Sequence, residues 1–207
     1  METAEQIKLW ARDLRSIAQT GLAYGSDVFD RERYHQINET AIQMLSHISG
    51  INAEEVTELL PIETGYTTPK VAVRGVVIKN SKILMVKEAA DGLWCLPGGW
   101  CDVGLSPSEN IEKEIIEETG LRTKTTKLLS FFDQTKTRPS VTMQYIYTIY
   151  FKCEIISGEL KNSIETNDVA FFAYNELPPL SKERITPDQI KTAIQIAEQA
   201  NGKVYFH

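Results

Sequence analysis

The sequence predicts an α/β domain preceded by a small all-helical unit. Three observations predict it. Apolar residues recur at helical spacing from Thr3 to about Leu60. Residues 61–69, PIETGYTTP, are rich in Pro, Gly and Thr and read as a linker. After the linker the period changes, and short β-rich runs alternate with two helical stretches. The boundary this implies divides the chain into residues 1–66 and residues 67–207.

The elements follow in order. Ile7, Trp10, Leu14 and Ile17 mark the buried stripe expected of a first helix. After a break at Gly21 to Asp27, Tyr34, Ile37, Ala41, Leu45 and Ile48 mark a second. A short third helix is predicted over 53–60, with Asn52 as its cap, Glu55 three residues on and Pro61 as its stop. Beyond the linker, VAVRGVVI (71–78) and KILMV (82–86) read as strands. The Asn80-Ser81 turn between them predicts a hairpin. Further strands are expected over 126–132, 141–154 and 170–174, the long one rich in Tyr, Ile, Val and Thr. Ser106-Pro107-Ser108-Glu109 opens a helix that Gly120 closes. Thr186 caps a last helix over 187–200, with Pro187 in its first turn, Gln189 completing a capping box and Gly202 as its stop.

Composition narrows the function. The 207 residues carry a net charge of −6, which does not suggest nucleic acid or an anionic membrane as a partner. Residues 1–60 hold five Lys/Arg against ten Asp/Glu, a poor composition for DNA-binding helices. Three cysteines without CxxC spacing and three scattered histidines argue against a zinc site and a disulfide framework. No signal peptide or membrane-spanning run is read, so cytoplasm is the expected compartment. Some sixty residues have little core of their own, so the N-terminal stripes are expected to pack on the rest of the chain or on a second copy, with a homodimer through these helices favoured.

The chemistry concentrates in EKEIIEETG, Glu112–Gly120. Ile111 and Ile115 mark the buried stripe, and Glu114, Glu117 and Glu118 share an arc of about 100°. Glu114 and Glu118 are i, i+4 neighbours, a spacing that destabilises a helix unless a cation lies between them. They also lie toward the helix C-terminus, where the dipole disfavours anions. Two readings follow: a solvated acidic face, or a site for a hard divalent cation such as Mg²⁺ or Mn²⁺. The preceding LPGGW, Leu96–Trp100, adds a glycine turn able to offer a carbonyl oxygen to the same ion.

At this point a resemblance appears. Residues 99–121, GWCDVGLSPSENIEKEIIEETGL, resemble the Nudix box at Gly99, Glu114, Ile115, Glu117, Glu118, Gly120 and Leu121. Two positions depart: the family's first glutamate is Leu105 here, and its arginine is Lys113. In the family those two residues chiefly brace the loop and orient the metal-binding glutamates. The helical N-terminus, GYTTPKVAVRGVV, DGLWCLPGGW and FFAYNELPPLS extend the likeness to a Nudix branch with a helical N-terminal domain. The resemblance implies a Nudix-type α/β/α sandwich with a mixed sheet. It also implies a pyrophosphatase that cleaves a nucleoside diphosphate linked to another moiety, with ADP-ribose or CDP-choline expected. The alternative is a Nudix-fold sensing module that has lost its chemistry.

Residue roles follow from the motif match. Glu114, Glu117 and Glu118 would bind Mg²⁺ or Mn²⁺, and Glu117 would bind metal or orient the water. The Gly98 carbonyl would complete the shell. A further carboxylate outside the box is usual in the family. Glu154 and Glu165 are the two candidates, Glu154 as a ligand and Glu165 as a loop general base. Asp102 either assists or steadies the glycine loop. Arg74, in an apolar strand, needs an anion: a substrate phosphate, or an acid such as Asp91 or Glu88. Lys136 and Arg138 are candidates for phosphate contact. Trp94, Trp100, Phe132 and Tyr145 stack on a base or pack a core. Cys95 and Cys101 read as small packing residues.

Overall fold

A computed structural model describes residues 2–137, 144–199 and 202–207. They form two compact units: residues 2–69 with Thr137, Gln144 and Tyr145, and residues 70–136 with the remainder from Ile146 onward.

The first unit is helical: α1 (Glu2–Tyr24), α2 (Val28–Ser49) and α3 (Ala53–Leu59). The Asp27 carboxylate accepts the Phe29 and Asp30 N–H groups and starts α2, and Gly50, at φ 73°, ends it. Asn52 caps α3 by accepting the Glu55 N–H at 2.8 Å. The predicted break is shorter than read, because α1 continues through Gly21. A Cβ there would lie 2.4 Å from the Tyr34 ring, so the missing side chain lets α2 pack closely. The buried side of α1 also differs from the expectation. Ala11, Ala18 and Leu22 are buried and Leu14 packs on the cluster that holds Ala11, whereas Trp10 and Ile17 are 55% and 57% exposed.

The second unit holds β1 (Lys70–Val76), β2 (Ile78–Lys79), β3 (Lys82–Glu88), β4 (Trp94–Cys95), α4 (Pro107–Thr119), β5 (Leu121–Asp133), α5 (Gln134–Thr137) except its last residue, β6 (Ile146–Gly158), β7 (Thr166–Ala173), α6 (Pro187–Glu198) and β8 (Tyr205–Phe206). One sheet has the order β1-β6-β5-β8, with β1 parallel to β6 and β5 antiparallel to it. The other joins β2, β3 and β4, with β7 antiparallel to β3. The predicted hairpin is confined to β2 and β3, across Asn80 and Ser81 at positive φ. Strand β1 leaves it for the parallel pairing with β6, which no local signal marks. The strand expected over 141–154 is observed from Ile146 to Gly158, and positions 141–143 lie outside the described residues. The last helix ends at Glu198, before Gly202.

Two apolar layers form. Ile111 and Ile115 of α4 pack on Val73, Val77, Leu84, Leu121, Phe151 and Cys153. Ile190, Ala193 and Ile194 of α6 pack on Val76, Leu129, Phe132, Tyr150 and Met85. Alternation along β1 and β3 feeds neighbouring residues to opposite layers, giving a helix–sheet–helix sandwich with a mixed sheet. Each fully buried isoleucine of α4 contributes about 2 kcal/mol by leaving water, which fixes the rotation of the helix and so the facing of its glutamates. Among the described residues no helix is long and apolar enough to cross a membrane.

Candidate active site

The site is built on α4 and the glycine loop before it. Ser106 and Glu109 close the predicted capping box, Pro107 fills the first turn, and Gly120 ends the helix at φ 75°. With Ile111 and Ile115 facing the core, Glu118 is carried inward, 5% exposed, and Glu114 lies half-buried beside it. Glu117 stays outside and pairs with Lys113 at 3.2 Å.

The loop is stitched to β1. Val73 N–H donates to the Gly99 carbonyl at 2.9 Å, Gly75 N–H to Pro97 at 2.8 Å and Cys101 N–H to Val71 at 2.9 Å. Gly98 adopts φ 135°, and a Cβ there would lie 2.2 Å from the Val73 carbonyl oxygen. At Gly99 a Cβ would lie 2.8 Å from Glu114 Oε2. Gly98 is therefore required by its backbone, whereas Gly99 leaves room for the end of the Glu114 side chain. The Gly98 N–H donates to Glu118 Oε2 at 2.8 Å, joining loop to helix across the site.

Burial pushes the Glu118 carboxyl up to about 8; Arg74 and the Gly98 N–H oppose the rise, while Glu114 and Glu88 add to it. Burial also raises Glu114, with Lys113 and Arg74 opposing and Glu117 and Glu165 adding. Among the described residues no three His, Cys, Asp or Glu side chains converge on one point. What converges is Glu114 and Glu118 against the glycine loop. This all-oxygen set suits a hard divalent cation, and two partly desolvated carboxylates raised by burial, with Glu114 adding to the rise at Glu118, are the arrangement such a cation would relieve. The residues present thus fit a metal of that class.

The remaining candidates separate. Glu165 adjoins the site: its charge acts on Glu114, and its carbonyl accepts the Ala89 N–H at 2.9 Å. Glu154 is exposed and lies 3.7 Å from Lys152 on β6. Arg74 is buried and donates to the carbonyls of Leu96, at 3.3 Å, and Gly98. The acids that act on it are Glu118 and Glu88; Asp91 is taken by Ser181 at 2.7 Å and Arg184 at 3.5 Å. Its side chain thus braces the loop. Lys136 is exposed on α5, and Arg138 lies outside the described residues. Asp102 pairs with Lys113 at 2.9 Å. Trp94 and Phe132 are core residues, edge-on to Phe172 and Tyr150, and Tyr145 lies in the helical unit under Arg12. Trp100, 53% exposed at the loop, remains available for stacking. Cys95 is buried and donates to Glu88 at 2.8 Å.

Two residues were missed. Asn110, fully buried, accepts the Asp102 N–H and donates to the Asp102, Leu105 and Ser106 carbonyls. Thr166, also fully buried, donates to the Glu118 carbonyl at 2.9 Å. The available signal for Asn110 was its place four residues after the Ser106 cap; Thr166 gave none.

Comparison with known proteins agrees with this geometry. Residues 68–193 match the model of the NUDIX domain, and residues 5–60 match that of a UDP-X-like N-terminal oligomerisation domain. The chain is 41% identical over 196 residues to a Bacillus subtilis (strain 168) protein named, as a provisional assignment, ADP-ribose pyrophosphatase YjhB, covering 95% of this chain and 94% of that one. It is 34% identical over 131 residues to an ADP-ribose pyrophosphatase of Methanocaldococcus jannaschii, covering 61% of this chain and 76% of that one. A solved UDP-X diphosphatase superposes with a TM-score of 0.65 at 35% identity, over 99% of both chains.

Proposed function

Because the chain belongs to the Nudix hydrolase family, we propose that this pyrophosphatase is metal-dependent and cleaves the diphosphate of a nucleoside diphosphate joined to another moiety, with ADP-ribose the first substrate to test and CDP-choline the second. The observation that supports it most is the buried Glu118, bonded to the Gly98 N–H with Glu114 beside it. A bound Mg²⁺ or Mn²⁺ would supply positive charge against the diphosphate oxygens. Glu114 and Glu118 would hold it, with Glu117 and the Gly98 carbonyl as further ligands, and Arg74 holds the Gly98 carbonyl in place. Glu165 takes a proton from the attacking water onto its carboxylate. The water oxygen bonds to one phosphorus, the bridging P–O bond breaks, and the second phosphate leaves with that electron pair. Lys136 and Arg138 meet substrate phosphate as it enters; Glu154, paired with Lys152, is the weaker candidate for a ligand.

The family's missing carboxylate at Leu105 motivates the second reading, a nucleotide-sensing module without turnover. The intact bracing of the loop by Asn110 and by Lys113–Asp102 favours the enzyme. Residues 1–66 serve assembly, a homodimer formed through α1, and the enzyme works in the cytoplasm.

The test is a phosphate-release screen with coupled phosphatase over nucleoside triphosphates, nucleotide sugars, ADP-ribose and CDP-choline, in Mg²⁺ and Mn²⁺. Turnover of one nucleoside diphosphate derivative, lost in Glu118→Gln, is expected. Nucleotide binding without turnover across the panel would replace the enzyme with the sensing module.

A further inference from the structure

The carboxylate proposed as base sits in a segment bonded to itself and to its surroundings. Ser163 N–H donates to Thr166 Oγ1 at 3.0 Å, the two hydroxyls lie 3.1 Å apart, and Ser163 N–H also reaches the Thr166 carbonyl at 3.3 Å. Glu165 N–H donates to Ser163 Oγ at 3.1 Å. The segment is then fixed at two outside points. On one side Ala89 N–H, just past β3, donates to the Glu165 carbonyl. On the other, Thr166 Oγ1 donates to the main-chain carbonyl of Glu118 in the last turn of α4. That carbonyl is among those a helix leaves without an internal partner, so the hydroxyl meets a real need of the helix as well.

Thr166 is therefore the link between the helix that carries Glu118 and the loop that carries Glu165, and it is completely buried. These bonds hold the main chain of Glu165 at both its N–H and its carbonyl, so the point from which its exposed side chain reaches toward Glu114 is set before substrate arrives. Preset geometry of this kind is worth much in rate while adding little to substrate affinity.

We infer that Thr166 is a positioning residue for hydrolysis: its hydroxyl, held between Ser163 and the Glu118 carbonyl, fixes Glu165 against the Glu114–Glu118 pair. The inference rests on the reading above in which Glu165 takes the proton.

The experiment is steady-state kinetics on the full chain with Mg²⁺ and the substrate found by the screen, for Thr166→Val, Thr166→Ser, Ser163→Ala, Glu165→Gln and the double variant Glu165→Gln/Thr166→Val. Misplacing the base is expected to lower kcat about tenfold or more in Thr166→Val with KM within about twofold. Thr166→Ser, which keeps the hydroxyl, returns kcat to within about threefold of wild type. Ser163→Ala, at a partly exposed position where folding is not at risk, shows the same kcat-selective loss in milder form. If Thr166 acts through Glu165, Thr166→Val adds less than about twofold in the Glu165→Gln background. Multiplying losses in the double variant, or a Thr166→Val enzyme with normal kcat while Glu165→Gln is impaired, would overturn the inference and leave the base assignment standing. A Glu165→Gln enzyme with unchanged kcat removes the base assignment, and the inference with it.

Discussion

The Asn110 side-chain amide grips Asp102 from both directions, accepting its N–H at 2.8 Å and donating to its carbonyl at 3.4 Å. Lys113 then holds the Asp102 carboxylate at 2.9 Å and Glu117 at 3.2 Å. The loop between the glycines and α4 is thereby fixed from the helix, although position 105 carries leucine rather than a carboxylate. Removing the amide leaves the Asp102 N–H and three loop carbonyls without it. Asn110→Ala should cost about 1–3 kcal/mol of stability, read as a lowered urea midpoint, and should lower kcat as the loop loosens.

The same relationship predicts little benefit from restoring the family residue. Leu105 is 40% exposed, and a carboxylate there would be a surface charge beside a loop already bonded. Leu105→Glu should change kcat/KM by less than about threefold, because exposed ion pairs contribute little. A gain of a hundredfold would show that the Asn110 brace is not equivalent.

The glycines separate space from conformation. Gly98→Ala places a Cβ 2.2 Å from the Val73 carbonyl oxygen at φ 135°, a collision with backbone that cannot turn aside. It should cost about 3 kcal/mol or more and abolish activity. Gly104, at φ 92°, has nothing within 4 Å of the same position, so Gly104→Ala should cost only about 1–2 kcal/mol from the left-handed backbone. Gly99→Ala meets the end of the Glu114 side chain, which can rotate; the fold should survive while metal affinity, read by calorimetry, falls.

Asp91 gives a pH dependence outside the site. Burial alone would raise its carboxyl, but the Ser181 hydroxyl, the Leu93 N–H and Arg184 together hold it below the usual aspartate range. A carboxylate lowered in the folded state stabilises above its unfolded pKa of about 4, and that contribution disappears as pH falls through the lower folded value. Asp91→Asn should therefore lose about 1 kcal/mol at pH 7, with the difference from wild type closing as pH falls through the lowered folded value. A difference that persisted in acid would assign the loss to packing instead of charge.

How much of this was legible follows from the range of each signal. The caps at Asn52, Ser106 and Thr186 act within four residues, and the structure has all three. The glutamate face of α4 was readable because 3.6-residue periodicity fixes which side holds Ile111 and Ile115. Pairing was not: β1 lies parallel to β6, more than seventy residues on, and no local residue records that choice. Glu154 and Glu165 looked equivalent because sequence gives neither strand facing nor loop tethering. Asn110 looked like one more polar residue of a helix surface, since what identifies it is the shape of a loop eight residues earlier.

The exposed face of α1 leads to a prediction about assembly. Trp10, Ile17 and Tyr24 recur every seven residues, a spacing that drifts only about 20° per step on a helix. All three are more than half exposed, while Ala11, Ala18 and Leu22, about 100° or more round the helix, are buried, Ala11 against Ala41, Ile42 and Leu45 of α2. A helix of 23 residues spans about 34 Å, long enough for an antiparallel or parallel pair to bury an area near the 800 Å² per partner typical of stable interfaces. The match of residues 5–60 to an oligomerisation domain makes a second copy the occupant to test. Wild-type protein should elute with a light-scattering mass of twice 23.4 kDa, and Trp10→Glu/Ile17→Glu at 23.4 kDa with unchanged circular dichroism. Because Trp10 and Ile17 face away from the α1–α2 core, the charges should not unfold the helical unit. A dimer that survives both would move the interface off this stripe, to the exposed Phe29 side of α2 or elsewhere.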